Sequence, residues 1–255
     1  IGGSANFSGS IITSLDNLKE IGGDAVFRGS DIQDLGNLKQ IGGNADFKNS
    51  KITSLGNLER IGRHAHFSNS EVQDLGKLER IFGDVDFENS KITSLGNLEY
   101  IGGSAYFSNS KITGLGNLEY IGCANFENSK ITSLGNLKGI SGGAYFSNSE
   151  VQDLGKLEKI FGDADFGNSK IESFGNLRYI EGKVLFGNSE HDLALKEMFN
   201  QLFKYNIKTR AYEHRSLMKD QISKIENSFA QAITSAQKNM NKILNKNANN
   251  QNEKI

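Results

Sequence analysis

The chain has one cysteine, Cys123, among its 255 residues. That excludes an intramolecular disulfide and any cysteine-based metal cluster. It lacks an apolar run near 20 residues, so no transmembrane helix is expected. No leader-like segment stands at the start. It also lacks the constellations that catalysis requires: no Ser–His–acid set, no phosphate-cradling glycine loop, no metalloprotease helix motif. Cys123 has no histidine on its own repeat or the next to activate it. The expectation is a protein that is not an enzyme and takes no cofactor. Net charge is close to balanced, at −1.

What the chain has instead is repetition. A 20-residue unit recurs nine complete times and a tenth in part, and residues 41–60 are a fair sample of it. One such unit cannot bury its own apolar face, so the units must stack. With slots numbered 1 to 20, slot 1 is Ile from Ile1 to Ile180 and slot 7 is Phe from Phe7 to Phe186. Slot 5 is Ala or Val, slot 12 Ile or Val, slots 15 and 18 Leu apart from Phe174, and slot 10 Ser from Ser10 to Ser189. The Ala-x-Phe step of two marks a short strand with both side chains on one face. The steps of three that follow suit tight turns. The Gly-Gly pair at slots 2 and 3 is expected to supply a sharp bend with positive φ. The Asn and Ser at slots 9 and 10 are expected to satisfy backbone groups with their side chains. Like slots then superpose into columns, and ten rungs would measure about 48 Å at the strand spacing.

The pattern Ala-x-Phe-x-x-Ser-x-Ile-x-x-Leu-x-x-Leu-x-x-Ile over residues 1–189 resembles leucine-rich repeats, in particular short bacterial and phage-type units akin to receptor L-domains. Ser stands where that family has its Asn ladder, and Ala-x-Phe replaces Leu-x-Leu. Ala45 to Asn49 also resembles one pentapeptide-repeat quintet, a family of 20-residue coils. The expected fold is a repeat solenoid: a right-handed, leucine-rich-repeat-like β-solenoid over 1–190, a helical cap and amphipathic tail over 191–246, and a disordered end over 247–255.

The repeats drift in informative ways. Residues 68–81 and 147–160 are nearly identical, which indicates duplication of a four-unit block. Their offset of 79 follows from a residue lost near Cys123. Slot 11 alternates in charge through Asp31, Lys51, Glu71 and Lys91, a ladder that assists register. Residues up to Glu190 carry 18 basic and 24 acidic side chains, and the tail carries 11 basic and 6 acidic.

From His191 the spacing turns helical. Leu195, Met198, Phe199, Leu202 and Phe203 form one stripe, expected on a first helix from about 191 to 206 that seals the last rung. A second helix, about 216 to 245, carries Ile222, Ile225, Phe229, Ile233 and Ile243 on one side, with Ala232 and Ala236 in its small centre. That side is expected to meet another helix or another subunit. At the other end an open first rung would expose Ile1 and Phe7, which calls for preceding sequence or a partner.

One rung breaks the habit of small or acidic outward residues. His64 and His66 are expected to point outward beside Asp46, Asp84 and Asp86. Two imidazoles among three carboxylates could hold a divalent metal, form a pH-sensitive contact patch, or be ordinary surface. Tyr106 and Tyr145 share outward slot 6, and Tyr100, Tyr120 and Tyr179 recur at slot 20; exposed Tyr is a common interface anchor. The function expected is a rigid binding or assembly module for a protein partner, copies of itself through the tail or the open rung included, as in a surface, filament or virion subunit. A macromolecular mimic or inhibitor is the alternative, for which the charge is too little acidic. Nucleic acid is not an expected partner of the solenoid, although the basic tail has three charge-compatible targets: a neighbouring copy, a nucleic acid or an anionic membrane.

Overall fold

The computed structural model describes residues 1–215, 221–235 and 238. It is a β-solenoid of about nine turns with the 20-residue period, followed by two helices. Most coils contribute two short strand segments, one at slots 20 and 1 and one at slots 5 and 6, as in Gln40–Ile41 and Ala45–Asp46, and in two coils these merge into the continuous strands Tyr100–Tyr106 and Tyr120–Asn125. Like residues pair in parallel between coils: Ile41 with Ile61, Ala45 with Ala65. The ladder runs through backbone bonds such as Phe27 N–H to the Asp46 carbonyl at 2.8 Å and Ala25 N–H to the Asn44 carbonyl at 2.8 Å. The chain contains no proline, so no donor is missing from this ladder.

Slots 1, 5, 7, 12, 15 and 18 fill the interior, and from Ile21 to Ile180 all of them are buried. The Phe column stacks almost face to face from Phe7 to Phe166, with centroids 5.2 Å apart and planes 5° apart between Phe27 and Phe47. Each buried aromatic or branched side chain contributes on the order of 1.5–3 kcal/mol.

Two turns close each coil. Ser50 N–H donates to the Phe47 carbonyl, and Leu58 N–H to the Leu55 carbonyl. The first turn places slot 9 at positive φ, +54° at Asn49, the third-position requirement of a type II turn that Gly or Asn meets. The second places slot 16 there, +54° at Gly56. Positive φ therefore sits at slots 9 and 16 and not at the Gly-Gly pair. Slots 2 and 3 are glycine in most coils because the coils touch there: a Cβ on Gly42 would stand 2.2 Å from the Gly22 carbonyl oxygen, and one on Gly43 2.2 Å from Asp24 Oδ1.

The expected Asn–Ser ladder is also corrected. Slot 9 Asn is selected for its backbone conformation, and the slot 10 hydroxyls, from Ser10 to Ser169, have no hydrogen-bond partner among the described residues. The amide ladder lies at slot 17 instead, where Asn57 Nδ2 donates to the Gly36 carbonyl and Asn97 Nδ2 to the Gly76 carbonyl, each at 3.1 Å. The slot 11 charge ladder is present: Lys51 meets Asp31 at 2.7 Å, Lys170 meets Glu150 at 2.5 Å, and Lys91 pairs with Glu71. These pairs are solvent-exposed and each contributes about 0–1 kcal/mol. The residue lost near Cys123 is absorbed where Ser104 pairs with Cys123, between Ile101 and Ser104, with no disturbance of the interior columns.

The last coil is capped by three devices. Helix α1 (Glu190–Leu202) starts from Ser189 in a capping box with Asp192, and buries Leu195, Met198, Phe199 and Leu202. The expected first helix ends earlier than 206. Phe203–Asn206 and Ala211–His214 form an antiparallel hairpin, and its second strand pairs with Tyr179–Ile180. The hairpin covers a strand edge that a helix could not hydrogen-bond. Phe174, the one aromatic at slot 15, meets Phe166, Phe199 and Phe203 edge-on, at 5.4, 5.5 and 5.7 Å.

Residues 221–235 form the second helix. Phe229 is buried, and Ile222, Ile225 and Ile233 pack against the same continuous core. Ala194, Met198 and Gln201 of α1 face Ile225, Phe229 and Ala232 across a narrow gap. The other helix that this stripe meets is thus α1 of the same chain. His191 takes the place of the missing slot 12 Ile: its ring lies edge-on to Phe229 at 5.7 Å. Ser173 donates to Glu226 at 3.1 Å. Ile243, Ala236 and the 247–255 end lie outside the described residues.

Candidate binding face

The strand segment at slots 5 and 6 turns slots 4, 6 and 8 outward, and two of these positions serve the backbone before they serve any ligand. At slot 4 a side-chain acceptor captures the N–H of the next coil. Ser4 Oγ accepts from Asp24, Asp24 Oδ1 from Asn44, Asn44 Oδ1 from His64, and Asp84 Oδ1 from Ser104, at 2.7–3.1 Å. His64 belongs to this series: its Nδ1 accepts from Asp84 N–H at 2.9 Å. Asp84 Oδ2 lies 3.2 Å from the same nitrogen. At slot 6, Asp46 and Asp86 accept the N–H two residues on, from Lys48 and Glu88, closing Asx turns.

The expected cluster does assemble on adjacent coils, with His66 paired in register between Asp46 and Asp86. The carboxylates are not equivalent. Asp46 Oδ2 is taken by Arg28 at 2.7 Å. Asp86 has one oxygen on its Asx turn and no ion-pair partner among the described residues. Burial holds the His66 imidazole below its ordinary value of 6.5, and the Lys48 ammonium adds to this, while Asp46 and Asp86 pull the other way. No group of three or more His, Cys, Asp or Glu among the described residues is placed to hold a metal ion.

Lys48, His64, His66, Asp84, Val85, Asp86, Glu88 and Tyr106 together line an open groove of about 520 Å³. Besides Val85, its lining carries three carboxylates, two imidazoles, the Lys48 ammonium and the Tyr106 ring. Such a surface can receive an extended or cationic segment and offers no nucleophile with a base. Tyr106 and Tyr145 both stand exposed, at 39% and 37%. Tyr106 lies on the groove; Tyr145 is two coils further along.

Three features escaped the sequence reading. Phe82 and Phe161 replace the slot 2 glycine and are half exposed, tilted against Tyr100 and Tyr179 at 5.9 and 5.6 Å. The signal was a large residue in a slot otherwise occupied by Gly, Ser or Glu. The hairpin apex is the third, with Ile207 83% exposed; alternating Phe203, Tyr205 and then Ala211, Glu213 around a four-residue link was its signature. No helix among the described residues is long and apolar enough to cross a membrane. No family model, curated protein or solved structure matches the chain.

Proposed function

We propose that the chain is a non-enzymatic binding rod, a recognition or assembly module that presents its strand face to a protein partner. The reading rests on a contrast between neighbouring positions of one strand. Slot 7 is Phe in every coil, whereas slot 6 beside it runs Asn6, Val26, Asp46, His66, Asp86, Tyr106, Asn125, Tyr145, Asp165 and Leu185. An identical backbone thus carries a changing row of outward side chains at fixed spacing, the property that repeat proteins use for extended recognition. The groove at His66, Asp86 and Tyr106 is a concave stretch of that row. The mimic reading has less support, because lysines at slot 11 in five coils interrupt any continuous acidic face.

A photo-crosslinking residue placed at Tyr106 or Tyr145, and separately at Thr93 on another face, tests this in cells of the source organism. A discrete protein adduct from the two slot 6 positions and none from Thr93 is expected. Adducts from Thr93 alone, or from no position, would overturn the assignment of the face. Sedimentation of the purified chain then distinguishes self-assembly from binding to a different protein.

A further inference from the structure

The hairpin that closes the solenoid does more than cover an edge. Its strands Phe203–Asn206 and Ala211–His214 pair in register, and residues 207–210 make the apex. Ile207 at this apex is 83% exposed and Tyr205 beside it 49%. The display is held in place. Glu213 accepts from Thr209 Oγ1 at 2.8 Å and from Asn206 Nδ2 at 3.2 Å, and Asn206 Oδ1 accepts from Lys208 N–H at 3.0 Å. Arg215 ties the base to the Phe203 carbonyl at 3.3 Å.

Between residues 203 and 215 four basic side chains stand against one acid. That acid, Glu213, is occupied by the loop. Lys204, Lys208 and Arg210 join no ion pair among the described residues, unlike Lys39, Lys51, Lys91, Lys138 and Lys170 on the solenoid. Beside the apex, Lys204, Lys208, His214 and Arg215 help line a hollow of about 650 Å³. The hairpin therefore combines a protruding aliphatic side chain, an amphipathic tyrosine, three cations outside any ion pair among the described residues, and a hollow in which basic side chains outnumber the single acid, Glu213.

We propose that this apex docks on an anionic phospholipid surface. Ile207 enters the headgroup layer, Tyr205 lies at its boundary, and Lys204, Lys208 and Arg210 meet lipid phosphates and carboxylates. A convex tip of one aliphatic residue requires a matching cavity in a rigid protein partner, whereas a bilayer conforms to it. The exposed apical Ile also distinguishes lipid from nucleic acid, where aromatic stacking would be expected at the tip. Each cation near an anionic leaflet is worth about a fivefold change in binding, so docking by one hairpin is reversible and salt-sensitive. This contact is independent of whichever partner the strand face binds, and crosslinking at Tyr106 can succeed or fail without bearing on it.

The chain has no tryptophan, so Ile207→Trp gives a single fluorescent reporter in the full-length protein. With vesicles of phosphatidylcholine containing about one third phosphatidylserine, a blue shift is expected, with co-sedimentation of the unaltered protein at least tenfold above that with phosphatidylcholine alone. Raising the salt should release it. Ile207→Asp, and separately Lys208→Glu with Arg210→Glu, should abolish sedimentation while leaving the melting temperature unchanged, since these side chains face solvent. No blue shift, equal binding to both vesicle types, or undiminished binding by the Ile207→Asp protein overturns the proposal. Binding of a single-stranded oligonucleotide in place of vesicles likewise overturns it, in favour of nucleic acid.

Discussion

The carboxylate of Asp192 accepts the backbone N–H of Asn168 at 2.7 Å across 24 residues. In the coils before it, the same donor position meets the carbonyl of the next coil: Asn128 N–H to Ser147, Asn148 N–H to Gly167. Asp192 thus supplies, from a helix, the acceptor that a further coil would have offered. It is fully buried, and its other oxygen accepts from Ser189 N–H and Oγ. Asp192→Ala removes the capping box and leaves the Asn168 donor unpaired. Urea denaturation should show a loss of about 2–4 kcal/mol, with Asp192→Asn less affected. An unchanged midpoint would mean the cap is dispensable.

Phe107 sits mid-column, 5.4 Å from Phe87 and 5.3 Å from Phe126. Phe107→Ala opens a cavity that the rigid backbone ladder on either side cannot collapse into, so the cost should reach about 3–5 kcal/mol. A melting temperature like the parent's would place slot 7 outside.

The buried Ser110 hydroxyl has no partner among the described residues. Ser110→Ala removes an unsatisfied polar atom without altering the Cβ and should be neutral or stabilising by up to about 1 kcal/mol. A destabilisation above that in thermal melts would reveal a hydrogen bond at this column.

Asn89 has φ +52°. Asn89→Gly should be tolerated within a few tenths of a kcal/mol, whereas Asn89→Ala should cost about 1–2 kcal/mol, the strain of an L side chain in the left-handed region. Equal stability of the two variants would contradict a conformational role for slot 9.

Burial lowers the proton affinity of His66, His191 and His214 below the ordinary value of 6.5. The unfolded chain then binds protons at a higher pH than the folded one. The stability from their neutral forms is fully present above pH 6.5 and is lost as pH falls below that value through the depressed folded values. Melting temperature should therefore decline between about pH 6.5 and 5, before most carboxylates titrate. The decline should be shallower in a His66→Gln, His191→Gln double variant. An identical slope in that variant would assign the effect elsewhere.

The interior was legible because each inward slot repeats and burial tolerates little substitution: Ile41, Ala45, Phe47, Ile52, Leu55 and Leu58 can be read from spacing alone. The reasons for the polar slots were not. Gly42 and Asn49 both look like turn residues, yet one answers to the coil below and the other to its own φ, and only three-dimensional placement separates them. At the candidate face, the register of His66 between Asp46 and Asp86 followed from the period. That Arg28 neutralises Asp46, and that His64 is held by a backbone donor, depends on side-chain directions that no spacing encodes. The hairpin was hidden because Leu202 and Phe203 continue the helical stripe, and pairing with Tyr179–Ile180 overrides it.

Slots 2 and 3 absorb the missing residue beside Cys123 while Ala105 and Ala124 remain paired. Variation in unit length is thereby confined to one corner, and the axial dimension can change only by whole coils, each of about 4.8 Å. Adding or removing a coil between Phe126 and Phe166 would leave every interior contact of the same kind. It would, however, shift the His66 groove one step relative to the Ile207 apex. The separation of these two surfaces is counted in integers, so the repeat number acts as a ruler between whatever each of them touches.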